Sequence, residues 1–141
     1  MPDWAKHAII GTAILLTCWT LSYAGAPEQV SIQKIVAEGS SMQRRQVTLQ
    51  GVVNDLQAMP SPVRRGYGNC LLTYGQATFT LDDGTGILPV EVIGSCVPPP
   101  SPLPKNGDEV RLTAIIQVLN TDLPLRLLAQ TTSYITILDP K

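Results

Sequence analysis

The chain has 141 residues, carries ten Lys or Arg against eleven Asp or Glu, and has a formal net charge of −1. This length provides one modest hydrophobic core and therefore one domain. Because the charges nearly balance, the chain has no net positive charge that could by itself attract nucleic acid.

The N-terminal segment has the pattern of a secretory signal. Lys6 precedes an uncharged run from Ala8 to Leu21, and the small residues Ser22 and Ala24 suit a signal peptidase. The pattern predicts cleavage after Ala24 and export to the periplasm or out of the cell. The mature chain would then begin at Gly25.

Two other interpretations of this segment stay open. Left uncleaved, it would anchor the chain in a membrane with the domain facing outward, although the uncharged run is short for the ~20 residues of a bilayer span. Alternatively, the sequence from Leu15 to Cys18 is similar to a lipobox, although Thr17 stands where a smaller residue is expected. On either interpretation, this segment provides the contact with the membrane.

Residues 25–45 predict a linker followed by a short helical segment. Ile32, Ile35 and Val36 fall on one face of a helix that Ser31 can cap. This face predicts a helical turn that packs on the following domain. The polar residues 39–45 predict a loop.

From Gln46 onward, apolar and polar residues alternate with the period of a β-strand. The segments with this pattern are Gln46–Val53, Ala77–Leu81, Leu88–Val92, Val110–Val118 and Leu127–Leu138. Gly51 predicts a sharp bend in the first strand, residues 55–76 a long connection, and residues 82–86 a hairpin turn. The alternation places Phe79 in the core. Five short strands at these spacings predict an all-β fold, a small five-stranded barrel over residues 46–139.

Three motifs occur in order along this region: Val47–Val53, Phe79–Gly86 followed by Val90-Glu91-Val92, and Asn106–Leu112. Together they resemble the OB-fold nucleic-acid-binding domains, such as the anticodon-binding domains of class II aminoacyl-tRNA synthetases and the middle subunit of replication protein A. The resemblance implies an OB-fold Greek-key barrel that binds single-stranded nucleic acid or oligonucleotides. The family often has a helix between its third and fourth strands, where the prolines between Cys96 and Pro104 exclude one here.

Few residues could support catalysis or bind a metal. The single histidine, His7, lies in the segment that is predicted to be removed, and Cys70 and Cys96 are too few for a four-ligand zinc site. Asp82 and Asp83 suit the hairpin turn better than a pair of catalytic carboxylates, because adjacent residues in a hairpin point apart. We therefore expect a binding protein with no catalytic residues, no metal and no cofactor.

The resemblance also implies where a ligand would bind. An OB fold holds its ligand across the second and third strands, between the loop that joins strands one and two and the loop that joins strands four and five. Residues at these places that could contact phosphates or stack on bases are Arg64, Arg65, Tyr67, Tyr74, Thr78, Thr80, Asn120 and Arg126. Glu91 falls on the same face and would repel phosphate.

A simpler interpretation of the first loop is a solvated segment whose tyrosines lie on the barrel. The class of ligand also stays open. The near-neutral charge and the scarcity of aromatic residues favour a protein or an oligosaccharide of the cell envelope over nucleic acid. A structural domain in a larger envelope assembly is a third possibility. A continuous positive groove beside Thr78 and Arg126 would indicate nucleic acid, and a mixed or negative face would indicate the alternative.

A disulfide between Cys70 and Cys96 is predicted from the geometry of the hairpin. Its turn is centred near Gly84, 14 residues after Cys70 and 12 before Cys96, so the two cysteines lie nearly opposite each other. Opposed residues in antiparallel strands have Cα atoms about 4.5–5.5 Å apart, a distance that a disulfide accepts. The alternative is two buried free thiols, and Tyr74-Gly75 could break the strand before it reaches Cys70.

Overall fold

The computed structural model describes residues 25–59, 70, 72–98, 101–119 and 125–139. The predicted signal segment and four of the predicted ligand residues lie outside these ranges: Arg64, Arg65, Tyr67 and Asn120. The described elements, in chain order, are β1 (Glu28–Gln29), α1 (Ile32–Glu38), a 3-10 helix (Gly39–Met42), β2 (Gln46–Ala58), β3 (Ala77–Asp82), β4 (Ile87–Val92), β5 (Glu109–Gln117), β6 (Arg126–Ala129), a second 3-10 helix (Thr132–Tyr134) and β7 (Ile135–Asp139).

Five strands close into a barrel in the order β2-β3-β4-β6-β5, and β5 pairs back onto β2. Neighbouring strands of the barrel are antiparallel, except that β4 and β6 run parallel. In addition, β1 pairs with the start of β2, and β7 pairs with the start of β5, on the same edge of β5 as β6. The predicted all-β class and the five-stranded OB-type barrel are confirmed.

The core of the barrel is aliphatic. Buried and less buried residues alternate along β3 and β5, as the sequence predicted. Phe79 is 3 % exposed, which confirms that it packs in the core. The largest fully buried side chains include Ile32, Ile35, Met42, Leu49, Leu81, Leu112, Ile116 and Leu127.

The predicted helical turn is the helix α1, and it packs against the barrel. Ser31 caps it by accepting the backbone N–H of Lys34, while Ile32 and Ile35 are buried in the barrel core. Val36, predicted to share their face, is 57 % exposed. Between β4 and β5 the described residues contain no helix. The α-helix that packs against the barrel core is α1, which comes before the barrel in the chain. No helix in the described part of the chain is long and apolar enough to cross a bilayer.

Strand β2 passes from one neighbour to another. Residues Gln46–Val52 pair with β5, and residues Val52–Ala58 pair with β3. Gly51 lies where the pairing changes, and a Cβ atom there would be 2.5 Å from the carbonyl oxygen of Asp82. Any larger residue would force the two strands apart, so the glycine permits their close approach.

Strand β2 is also longer than the sequence pattern predicted. A β-bulge at Asp55 and Leu56 places two residues of β2 opposite Phe79 of β3. Since the bulge breaks the alternation of apolar and polar residues, the pattern ends at Val53. The strand itself continues to Ala58. The prediction that the connection begins at residue 55 is therefore wrong for residues 55–58.

The predicted last strand over Leu127–Leu138 is two strands in the structure. β6 ends at Ala129 and β7 begins at Ile135. Between them, the side chain of Thr131 accepts the backbone N–H of Ser133 at the start of a 3-10 helix. The helix interrupts the ladder, so that β6 pairs with β4 and β5 to close the barrel, while β7 pairs with β5 alone.

The predicted disulfide between Cys70 and Cys96 is confirmed, with Cα atoms 5.4 Å apart. The regular ladder of β3 and β4 ends at Ala77, but Tyr74 and Ser95 still form an isolated bridge in the same register. The hairpin geometry therefore persists almost as far as the cysteines. The disulfide links the β2–β3 connection to the β4–β5 connection.

Candidate ligand-binding cleft

A cleft of about 360 Å³ lies on the outer face of the barrel, and we call it the barrel cleft. Its lining residues come from the end of β2, from β3, β4 and β6, and from the segment after β5: Asp55, Gln57, Thr78, Phe79, Thr80, Pro89, Val90, Glu91, Leu119 and Arg126. Leu119 is the one described residue of the β5–β6 connection that lines the cleft. This is the face across which OB folds hold their ligands.

The cleft has an apolar floor and a polar rim. Phe79 and Val90 pair across β3 and β4 and are buried below it. Thr78 and Thr80 alternate with Phe79 and are partly exposed. The hydroxyl of Thr80 donates to the carbonyl oxygen of Asn54 at 3.3 Å. The strand period thus places hydroxyl groups above an apolar base.

The side chain of Arg126 is held by two partners on the neighbouring strands. Its Nη1 donates to Glu91 Oε2 at 2.5 Å, and its Nε donates to Gln117 Oε1 at 2.6 Å. The side chains of the ion pair are about one third exposed, so water screens their attraction only in part. The pair fixes the guanidinium and cancels its charge.

The bulge places Asp55 at the edge of the cleft. Its φ of 53° is left-handed, and the turn at residues 105–108 holds the bulge. Leu56 N–H donates to Asn106 Oδ1 at 2.7 Å, and Val53 forms two backbone hydrogen bonds with the same turn. Asp55 has no hydrogen-bond or ion-pair partner among the described residues, and its carboxylate is therefore available to a ligand.

The described lining carries two carboxylates, Asp55 and Glu91, and one guanidinium, Arg126. The continuous positive groove that would indicate nucleic acid is not present among these residues. Within the described part of the chain, no three carboxylate, imidazole or thiol side chains are placed to hold a metal ion.

The structure brings three of the predicted ligand residues together, since Thr78, Thr80 and Arg126 all line the barrel cleft. Tyr74 does not line it and instead pairs with Ser95 at the end of the hairpin.

Sequence reasoning did not assign Asp55, Gln57, Pro89 or Leu119 to the site. The adjacent polar residues Asn54 and Asp55, which interrupt an apolar alternation, were the available signal for the bulge.

No protein-family model and no curated protein matches the sequence. The chain is similar to a solved structure of the tetrameric p202 HIN2, with 20 % identity, a TM-score of 0.50, and coverage of 78 % of this chain and 48 % of that one. It is also similar to the OBody AM3L09 bound to hen egg-white lysozyme, with 14 % identity, a TM-score of 0.48, and coverage of 82 % and 100 %. The chain spans about half the length of HIN2, and the likeness is one of fold.

Proposed function

We propose that the protein is a non-catalytic binding module that holds its ligand in the barrel cleft. The position of the cleft on the ligand face of an OB-type barrel carries this proposal. Its volume of about 360 Å³ falls within the range of roughly 300–1,000 Å³ that is typical of small-ligand sites. The predicted mature chain also lacks histidine and any recognised nucleophile motif.

An oligosaccharide is the class of ligand that the described lining supports best. The hydroxyl groups of a sugar can exchange hydrogen bonds with Thr78, Gln57 and Asp55, and its apolar ring face can lie on the floor of the cleft. The ion pair of Glu91 with Arg126 leaves no net positive charge for a polyanion. A protein partner would instead need about 800 Å² of surface on each side, with aromatic anchors at its centre.

Titration with neutral tetrasaccharides of glucose and of N-acetylglucosamine, followed by saturation-transfer NMR, tests this proposal. We expect saturable binding by the wild-type protein. Thr78→Val removes a hydroxyl that has no hydrogen-bond partner among the described residues, so it should weaken binding about fivefold, or about 1 kcal/mol.

Thr136→Val is the matched control, because Thr136 is exposed on β7 and does not line the cleft. Binding that is equally weakened by both variants, or is absent with every sugar, would contradict the proposal.

Single-stranded nucleic acid is a second candidate, supported by the sequence resemblance and by three residues of the β2–β3 connection. Arg64, Arg65 and Tyr67 lie between Met59 and the disulfide at Cys70. If they bind phosphates, the Arg64→Ala/Arg65→Ala variant should weaken binding to all sequences alike. It should also lower the salt dependence by about 0.7 per lost phosphate contact. No saturable binding of labelled oligonucleotides at low salt would rule this candidate out.

We also propose that the protein is exported. The signal-like segment supports this location, and the disulfide is compatible with an oxidising compartment. Intact-mass measurement of the native protein should give a chain that begins at Gly25. A mass that retains residues 1–24 would indicate an anchor, and a lipidated chain that begins at Cys18 would indicate a lipoprotein.

A further inference from the structure

Arg126 is the only cationic side chain among the described residues that line the barrel cleft. In most OB-type ligand sites that bind nucleic acid, a positive groove follows the phosphate backbone. The state of this one guanidinium therefore decides whether the described face attracts or repels a polyanion.

The strand register sets the partners of this guanidinium. Gln117 of β5 pairs directly with Arg126 of β6, while Glu91 of β4 pairs with Leu128, two residues further along β6. Side chains two residues apart on a strand share a face. Glu91 and Arg126 consequently meet on the outer face, and the barrel itself enforces their contact.

The contact leaves Arg126 oriented but neutralised. With Nε and Nη1 engaged by Gln117 and Glu91, the hydrogens on Nη2 have no partner among the described residues and can donate to a neutral oxygen. A phosphate at Nη2 would approach the carboxylate of Glu91, and Asp55 adds a second negative charge at the cleft edge. Like charges in a partly desolvated cleft repel each other.

We propose that Glu91 is the specificity-determining residue of the barrel cleft. It excludes polyanions by neutralising Arg126, while leaving the guanidinium in place to donate hydrogen bonds to an uncharged chain. This inference rests on the proposed use of the cleft as a ligand site, but not on which sugar binds there.

The test compares Glu91→Gln with wild type for binding of fluorescein-labelled oligothymidylate over a series of KCl concentrations. Glutamine has the same shape and still accepts a hydrogen bond from Arg126, but it carries no charge. We expect affinity for the oligonucleotide to rise about tenfold at low salt and the salt dependence to steepen by about 0.7, which corresponds to one additional phosphate contact.

Glu109→Gln is the matched control, since Glu109 is an exposed strand residue outside the barrel cleft and its loss changes the net charge equally. The combined Glu91→Gln/Arg126→Gln variant should return to the wild-type salt dependence. If Glu91→Gln does not fold, Glu91→Thr, which suits a strand, replaces it.

The inference is overturned if the Glu91→Gln protein binds the oligonucleotide no more tightly than the Glu109→Gln protein does. It is also overturned if neither protein shows detectable binding. Failure of all sugars to bind wild type would overturn the proposed ligand class alone. The two failures are therefore distinguishable.

Discussion

Asp55, at the edge of the barrel cleft, has a left-handed backbone conformation that residues with a Cβ atom seldom adopt. The left-handed region costs such residues roughly 1–2 kcal/mol, although Asp tolerates it better than most. The hydrogen bonds between β2 and the turn at residues 105–108 hold the bulge in this conformation. Their combined strength offsets the strain at Asp55, and the result is a carboxylate that projects from a rigid strand into the cleft edge.

Substitutions at Asp55 should show whether the backbone at this residue is strained. Asp55→Gly should leave the free energy of unfolding unchanged or raise it slightly, because glycine adopts a positive φ without a steric cost. Asp55→Ala should lower it by about 1 kcal/mol, because alanine keeps the steric cost and lacks the polar side chain that tolerates this region. Urea unfolding curves measure both effects. An alanine variant as stable as the glycine variant would show that the backbone at this residue is not strained.

The turn of the β3–β4 hairpin holds the start of α1 against the barrel through the side chain of Asp83. Its Oδ2 accepts the backbone N–H of Ile32 at 2.7 Å, and its Oδ1 accepts the backbone N–H and hydroxyl of Thr85 and the N–H of Gly86. Partial burial raises the pKa of Asp83, but these hydrogen bonds together outweigh it, so that its pKa lies below the ordinary value of 3.8.

Because the pKa of Asp83 is lower in the folded than in the unfolded protein, ionised Asp83 stabilises the fold above pH 3.8, and this contribution disappears as the pH falls below that value. Asp83→Asn cannot accept through both side-chain atoms and should lower the free energy of unfolding by about 1–2 kcal/mol at neutral pH. The difference from wild type, measured by urea unfolding, should shrink in acid. A difference that stays constant with pH would contradict this assignment.

Elements with regular alternation were predictable from sequence, and elements with local interruptions were not. The patterns at Ala77–Leu81 and Val110–Val118 indicate strands, because every second residue must face an aliphatic core. The turn role of Asp83 followed from its neighbours. The hydrogen bond that Asp83 accepts from Ile32, 51 residues away, could not be predicted, because it depends on where α1 packs. For the same reason, the contact between Glu91 and Arg126 required the strand register.

For the whole molecule, the disulfide closes a sequence separation of 26 residues between two connections. In the chain-entropy account, a loop of this size contributes about 3 kcal/mol by restricting the unfolded chain. The Cys70→Ser/Cys96→Ser variant should therefore lose about that much free energy of unfolding, measured by urea unfolding. The oxidised mature protein, from which residues 1–24 with Cys18 have been removed, should contain no free thiol under denaturing conditions. Two free thiols, or equal stability of the variant, would contradict the bridge.

The strand pairings of the barrel span very different distances along the chain, and this affects how fast each can form. The β3–β4 hairpin joins residues close in sequence, and such hairpins form within about 1–10 μs. The pairing of Gln46 in β2 with Ile115 in β5 joins distant parts of the chain, and contacts of this kind form slowly because loop entropy must be lost first. Glu91, Arg126 and Gln117 stand on β4, β6 and β5, so their network assembles only when β6 has paired with both of these strands. Ligand selection by the barrel cleft would then depend on these two pairings, and a partly folded chain without them would lack the pair of charges.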